Sequence, residues 1–424
     1  MATSHTVETR TTIDNLLKYD YAPAIIDMTK EQSATLTLIE QKAGKVAFGG
    51  KSFVIPLQLN NMGSTGSVAE NGDLPDSVPG QWLNAIVPIK YHYFSLAVSG
   101  PAMATTGQDK FAWAQAWTQE VMVKTRAFRQ QLNRQICGDG NAILAQVDGA
   151  VAGQVITVDN AYGLSGYNSS DVNGARFLSG NMKIDAYTGS SIRGTGGWLI
   201  DSYTRGAFPS TSATITINAA HDISAVADGD YIYVAGSKGN EVAGLRLLVD
   251  DNTVATTVQS LSATDYPEWR SVVGYGSTPG TAEALTTNRL QTTIDDIETY
   301  NGGKVDYMLT SPAVWLTYGE MARANNVIMN AKTLDTGWTA LEFNGYNLFK
   351  DPYMVDEIFM LDNRSIKIHQ AGTQGWLDDD GKIVKQIHGK DAWEAFWGWY
   401  MNLSISNRAW CGKLVDISVT ANKM

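Results

Sequence analysis

Apolar side chains alternate through Lys51–Asn60, where Phe53, Ile55, Leu57 and Leu59 share one side, the period of a half-buried strand. A second run covers Ala85–Val98, with Val87, Ile89, Tyr91 and Tyr93 on one face, then Phe94, Leu96 and Val98 on the other. That shift of parity predicts a β-bulge inside one strand, or a strand buried on both sides near Tyr93. Residues 60–83 between the runs are rich in Gly, Ser, Asn, Asp and Pro. So long a loop is uncommon inside a compact domain and is usually functional, so the pair reads as a long hairpin projecting from the body.

The period then changes. Phe111, Ala114, Trp117, Val121, Met122, Phe128, Leu132 and Ile136 recur at three- and four-residue steps, predicting a helix over 108–137 capped by Thr105 or Thr106 and stopped by Gly138. It would be about 45 Å long at 1.5 Å per residue. From 150 to 280, short β-rich runs (Gln154–Val158, Thr214–Ile217, Asp230–Ala235) are separated by turn residues such as Asp228-Gly229 and Lys238-Gly239. That texture predicts a small sandwich or barrel inserted in a mixed domain. Helices resume at Thr287–Tyr300, with Leu290, Ile294 and Ile297 on one face, and after Ser311-Pro312, an N-cap followed by proline. Val305–Thr310, Ile358–Leu361 and Ile366–His369 read as strands, and Asn344-Gly345 as a hairpin turn. Trp393, Ala395, Trp397, Trp399, Met401, Leu403 and Ile405 share a face of a strand at Ala392–Ser406, and Val415, Ile417 and Val419 repeat the alternation. Residues 1–47 include small apolar patches, Ile13, Leu16 and Leu17, then Ile25, Ile26 and Met28, split by Pro23 and too small to form a core of their own. They read as an arm that packs on another element or another chain. The fold class is α+β, with mostly antiparallel strands.

Composition sharpens this. The 424 residues suffice for roughly two to four structural units. A hydrophobic share of 44% argues against disorder, and charged residues are only 18% against about 25% in ordinary soluble chains, as for a surface covered by assembly. A net charge of −11 argues against an electrostatic nucleic-acid binder and a polybasic membrane anchor. Cys137 and Cys411 form no disulfide framework and have no metal-site spacing. Met1–Arg10 lacks the apolar stretch of a signal peptide, and no window approaches about eighteen apolar residues. A soluble chain, intracellular when made, is expected, so the sequons at Asn168 and Asn402 carry no meaning.

Candidate chemistry is sparse. Gly50-Lys51-Ser52 lacks the upstream glycine of a phosphate loop and leads into a strand, where a helix N-terminus is needed. His5, His92, His221, His369 and His388 have no zinc spacing, and Gly163-Leu164-Ser165-Gly166 is not a nucleophile elbow. Asp378-Asp379-Asp380-Gly381 reads as a turn, since its carboxylates do not alternate as a calcium loop requires. The neighbouring pairs Asp250/Asp251 and Asp295/Asp296 diverge. The Trp-rich strand could serve as a sugar platform, but its unbroken apolar alternation fits a packed sheet better. No catalytic residue, metal or cofactor is expected.

The order of arm, projecting hairpin, long helix, mixed domain and returning strands resembles the major capsid proteins of tailed double-stranded-DNA bacteriophages. Local phrases add to it: Leu309-Thr310-Ser311-Pro312 entering a helix, and Asn344-Gly345-Tyr346 leading through Asp351-Pro352 to Ile358-Phe359-Met360-Leu361-Asp362. The resemblance implies an arm (1–47), an extended hairpin loop (48–104), the spine helix of a peripheral domain (105–149), a β-rich insertion on the axial domain (150–285), an axial α/β domain (286–384) and returning strands of both sheets (385–424). It implies a non-enzymatic shell subunit that self-assembles into pentamers and hexamers around DNA bound without sequence specificity, in a virion built in the host cytoplasm. Portal and decoration proteins, and a separate scaffolding protein or none, would be partners; no membrane is implied. Inter-subunit contacts are expected from Lys51, Phe53, Ile55, Leu57, Val87, Ile89 and Tyr91 on the hairpin, and from Leu16 and Ile25 on the arm. Some relatives crosslink through a hairpin lysine; Lys51 lies at the hairpin base, without a matched asparagine. An encapsulin-like nanocompartment shell and a carbohydrate-active enzyme with a β-rich accessory module are the alternatives.

Overall fold

The alternating run at 52–58 pairs with Trp82–Pro88 over seven residues, from Ser52 opposite Pro88 to Gln58 opposite Trp82. The chain breaks at Ile89, and the next strand, Lys90–Ser99, leaves this two-stranded sheet to join Ala392–Ile405. The parity shift in the sequence is therefore a change of sheet and not a bulge within one strand. Val87 ends buried while Tyr91, four residues on, is 60% exposed. The structure is a computed structural model that describes residues 34–42, 44–47, 49–59, 65–76, 79–101, 110–164, 174–204, 213–324, 331–333, 339–378 and 381–419. Leu16, Ile25 and the arm as far as residue 33, the capping Thr105 and Thr106, Ser165–Asn168 and Asp379–Asp380 lie outside the described residues.

The 14-residue strand Ala392–Ile405 organises one sheet. Its first ten residues pair with Lys90–Ser99, and its last five with Ile366–Gln370, which also takes Lys45–Ala47 in parallel. Directly opposed residues of an antiparallel ladder point the same way. His92 and Trp399, Phe94 and Trp397, and Leu96 and Ala395 therefore face the core, and Phe94 reaches Phe128 of the long helix at 5.5 Å between ring centroids. That helix runs Lys110–Cys137, and Leu132 and Ile136 are enclosed whereas Met122 is exposed. Residues 34–42 and 45–47, within the segment expected to pack as an arm on another element or another chain, form helix Ala34–Lys42 and strand Lys45–Ala47, which pairs with Ile366–Gln370. Trp399 is enclosed, but Trp397 is half-buried between Phe94 and Trp376. Trp397→Ala is expected to cost about 2 kcal/mol in denaturant titration, below the roughly 3–5 kcal/mol of a fully enclosed aromatic.

Between sandwich and barrel, the structure selects a barrel. Ile143–Val147, Val155–Asp159, Ala213–Ile217, Trp198–Thr204, Lys183–Thr188 and Tyr231–Val234 pair in that order, and the last pairs back to the first. Closure leaves no edge strand in the ring. Ile156, Val158, Ile184, Trp198, Ile200, Ile215 and Ile232 are fully enclosed. The barrel starts at Ile143, directly after the long helix, and by Val272 the chain is already in another sheet.

That second sheet is ordered Val272–Gly274, Gly412–Leu414, Ile358–Leu361, Tyr307–Thr310, Tyr346–Lys350, Thr339–Phe343, Ala331–Thr333. Leu290, Ile294 and Ile297 of helix Thr287–Asn301 share a buried cluster with Val314 and Tyr318 of helix Pro312–Ala324 and the strand side chains Met308, Leu348, Ile358 and Met360. Asn344 and Gly345 both have positive φ (48° and 88°), the geometry of a tight hairpin turn. The alternation at 415–419 forms no strand: pairing stops at Leu414, and Ile417 makes only an isolated bridge to Glu283.

Candidate assembly surfaces

The hairpin of Ser52–Gln58 and Trp82–Pro88 has two distinct faces. Its inner face, Ile55, Leu57, Leu83 and Ala85, packs with Leu261, Tyr266 and Trp269 of a neighbouring loop. The Ile86 amide donates to the Gln259 carbonyl at 2.8 Å, and Phe53 stacks on His369 with ring centroids 4.0 Å apart. The hairpin is thus seated along one face and does not project free. Four of the expected contact residues, Phe53, Ile55, Leu57 and Val87, turn toward their own chain. Lys51 and Tyr91 are exposed, and Ile89 is half-buried.

The apolar groups the hairpin offers outward have the opposite parity: Val54 (45% exposed), Ile86 (38%) and Trp82 (67%). Residues 65–76 are exposed at every position and carry Val68 and Leu74, the latter 82% exposed. The signal was present in the sequence, since Val54, Ile86 and Trp82 are apolar where alternation calls for polar residues. Beyond the hairpin, Tyr91 and Tyr93 stand on the outer face of the wide sheet, edge-on to Tyr400 at 5.5 and 5.8 Å.

Two buried polar constructions hold these surfaces in place. Asp351 is fully enclosed; one carboxylate oxygen accepts from the Thr35 amide (2.9 Å), the Thr35 hydroxyl (2.8 Å) and Asn133 Nδ2 (2.9 Å). It joins the start of helix Ala34–Lys42 to the long helix. Arg408, also fully enclosed, donates to the carbonyls of Leu248, Asp250 and Trp269 at 2.8, 2.6 and 3.1 Å. It fastens the segment that seats the hairpin, and burial lowers its pKa to about 10. Burial opposes charge on Asp250, but Lys413 at 3.0 Å and the amides of Val254 and Asn252 outweigh it, so its carboxyl sits below the usual range.

Cys137 and Cys411 are enclosed, and burial pushes both thiols up, Cys411 to about 12, away from the reactive thiolate. Among the described residues no cluster of three or more His, Cys, Asp and Glu could hold a metal, and no helix is long and apolar enough to cross a membrane.

No protein-family model matches the chain, and no curated protein matches it in sequence. Solved structures do. The cyanophage A-1(L) capsid asymmetric unit aligns over 97% of this chain and 99% of its own at 13% identity, with a TM-score of 0.56. An encapsulin complex from Synechococcus elongatus aligns over 98% of both chains at 6% identity and TM-score 0.49. A native GTA particle capsid covers 97% and 100% at 10% identity and TM-score 0.49. From helix Ala34–Lys42 to its last described residues, this chain has the fold of a phage major capsid subunit.

Proposed function

We propose that the chain is the shell subunit of a bacteriophage head, assembling into pentamers and hexamers that enclose double-stranded DNA. The observation that carries this is the hairpin, seated on one face by its own body, offering Val54, Ile86 and Trp82 to solvent on the other and Leu74 from its loop. Exposed apolar groups on a fixed limb mark an interaction site, and prior ordering lowers the entropy cost of docking. The capsid-like fold over nearly the whole chain supports the reading. Patches that differ from edge to edge make heterologous contacts, which close into rings, and many weak contacts per subunit stabilise the whole. The net charge of −11 suits a lining along which packaged DNA does not stick. Portal and decoration proteins, and a separate scaffolding protein or none, are the further partners we propose for this role.

Electron microscopy of purified particles tests the proposal. Shells containing DNA are expected; shells filled with protein would make this an encapsulin-like compartment. A sole 46 kDa species in sedimentation at high concentration would sink the shell reading and favour the enzyme alternative. Deleting residues 62–80 removes the exposed loop without touching the seated strands. The variant is expected to melt within about 3 °C of the parent, yet to form at least about tenfold fewer shells, since the contacts of many subunits are lost together. Shells at normal yield would mean the loop plays no part in assembly.

A further inference from the structure

A cleft of about 590 Å³ lies between the long helix and the barrel and is lined by Lys124, Arg134 and Arg176 with no carboxylate among its lining residues. Arg134 is neutralised behind it by Glu241, so the charge it offers comes from Lys124 and Arg176. Neither has a carboxylate partner among the described residues; Arg176 lies over the Phe177 ring and donates to the Met354 carbonyl. Its walls include Phe177, Tyr203 and Tyr353, so the site pairs positive charge with aromatic surface.

The exposed loop of the hairpin is the complement. Its tip is a turn in which the Gly72 amide donates to the Ala69 carbonyl at 2.9 Å and Asn71 has φ 68°. Around that turn stand Glu70, Asp73 and Asp76, exposed and without an ion pair among the described residues, and between the last two is Leu74, 82% exposed. An acidic loop around a bare leucine matches a basic cleft with aromatic walls in both charge and apolar character.

Resting on the shell reading above, we propose that the Glu70–Asp76 loop of one copy docks in the cleft between long helix and barrel of the next. Leu74 enters against Phe177 and Tyr203, and the flanking carboxylates meet Lys124 and Arg176. The barrel is then part of the assembly interface, because its strand residue Tyr203 and the loop carrying Arg176 build half the site.

Charge reversal tests this. Lys124→Glu with Arg176→Glu is expected to cut particle yield at least about tenfold, and adding Glu70→Lys with Asp73→Lys in the same chain to restore it within about twofold, since each swap recreates the opposite-charge pairing. Carbodiimide treatment of wild-type particles assembled from mixed isotope-labelled and unlabelled subunits is expected to join Lys124 to Glu70, Asp73 or Asp76 between chains. Particles at wild-type yield from the charge-reversed cleft would overturn the proposal. So would a loss that the second reversal does not rescue, which assigns the cleft to another anionic partner, or a crosslink found only within chains. If particles form and carry no such crosslink, this docking fails while the shell reading stands; if wild-type protein forms no particles, both fail.

Discussion

Asp351→Ala is expected to lower the stability of the subunit by about 4–5 kcal/mol, because one carboxylate serves three elements at once. Removing it strands the Thr35 amide and hydroxyl, Asn133 Nδ2, and the Tyr353 amide that donates to the other oxygen at 2.8 Å. Each buried donor left alone costs about 1–3 kcal/mol, and partial rearrangement keeps the total below the sum. Asn133 Oδ1 would still accept from the Leu36 amide at 2.8 Å, so the first turn of helix Ala34–Lys42 loosens while keeping one tie to the long helix. Denaturant titration measures the loss, and limited proteolysis should show early cleavage next to residue 34. Asp351→Asn keeps one acceptor oxygen and is expected to fall between. If Asp351→Ala loses under about 1 kcal/mol, the three-way junction is not what holds that helix.

Much of the architecture was legible because local patterns report local geometry. Thr286 caps its helix through the Arg289 amide, and Gly302 ends it in the left-handed region, as the residue types at those positions suggest. The Asn344-Gly345 turn and the run Phe53, Ile55, Leu57 were equally plain. Partner identity was not. Alternation states which side chains share a face, but it does not say against what that face rests. Phe53, Ile55 and Leu57 were expected to meet a neighbouring subunit, and they meet His369 and the loop carrying Leu261 and Trp269. The sheet change at Ile89 depends on Ala392–Ile405, about three hundred residues away, and barrel closure depends on Tyr231–Val234 finding Ile143–Val147. The enclosed Asp351 and Arg408 left no mark, since a lone charge in a sequence reads as a solvated one.

The two enclosed strand histidines make the subunit acid-sensitive over a defined range. His92 and His369 are 7% and 3% exposed, and their pKa values are lowered to about 4 from 6.5, in both cases by burial first and then by a nearby lysine, Lys90 and Lys367 respectively. Above pH 6.5 both are neutral in folded and unfolded chains, and their contribution is constant. Below pH 6.5 the unfolded chain takes up protons that the folded one refuses, so stability falls until about pH 4, where the folded form charges too. A shift of about 2.5 pH units is worth roughly 3 kcal/mol per histidine, so the pair accounts for roughly 6 kcal/mol, comparable to the whole stability of many domains. Glu241 works in the opposite sense: burial raises its carboxyl pKa against the pull of Arg134, so its protonation on acidification offsets part of the loss. Equilibrium unfolding between pH 7 and 4 should therefore show a falling stability. Replacing either histidine by glutamine should flatten the fall by up to about 1.4 kcal/mol per pH unit, and replacing both should remove most of it. His92 lines a cavity of about 490 Å³ with Gln131, Gln135 and Glu241, which leaves a glutamine there room and partners. A double variant with the slope of the parent would assign the acid sensitivity to the carboxylates instead.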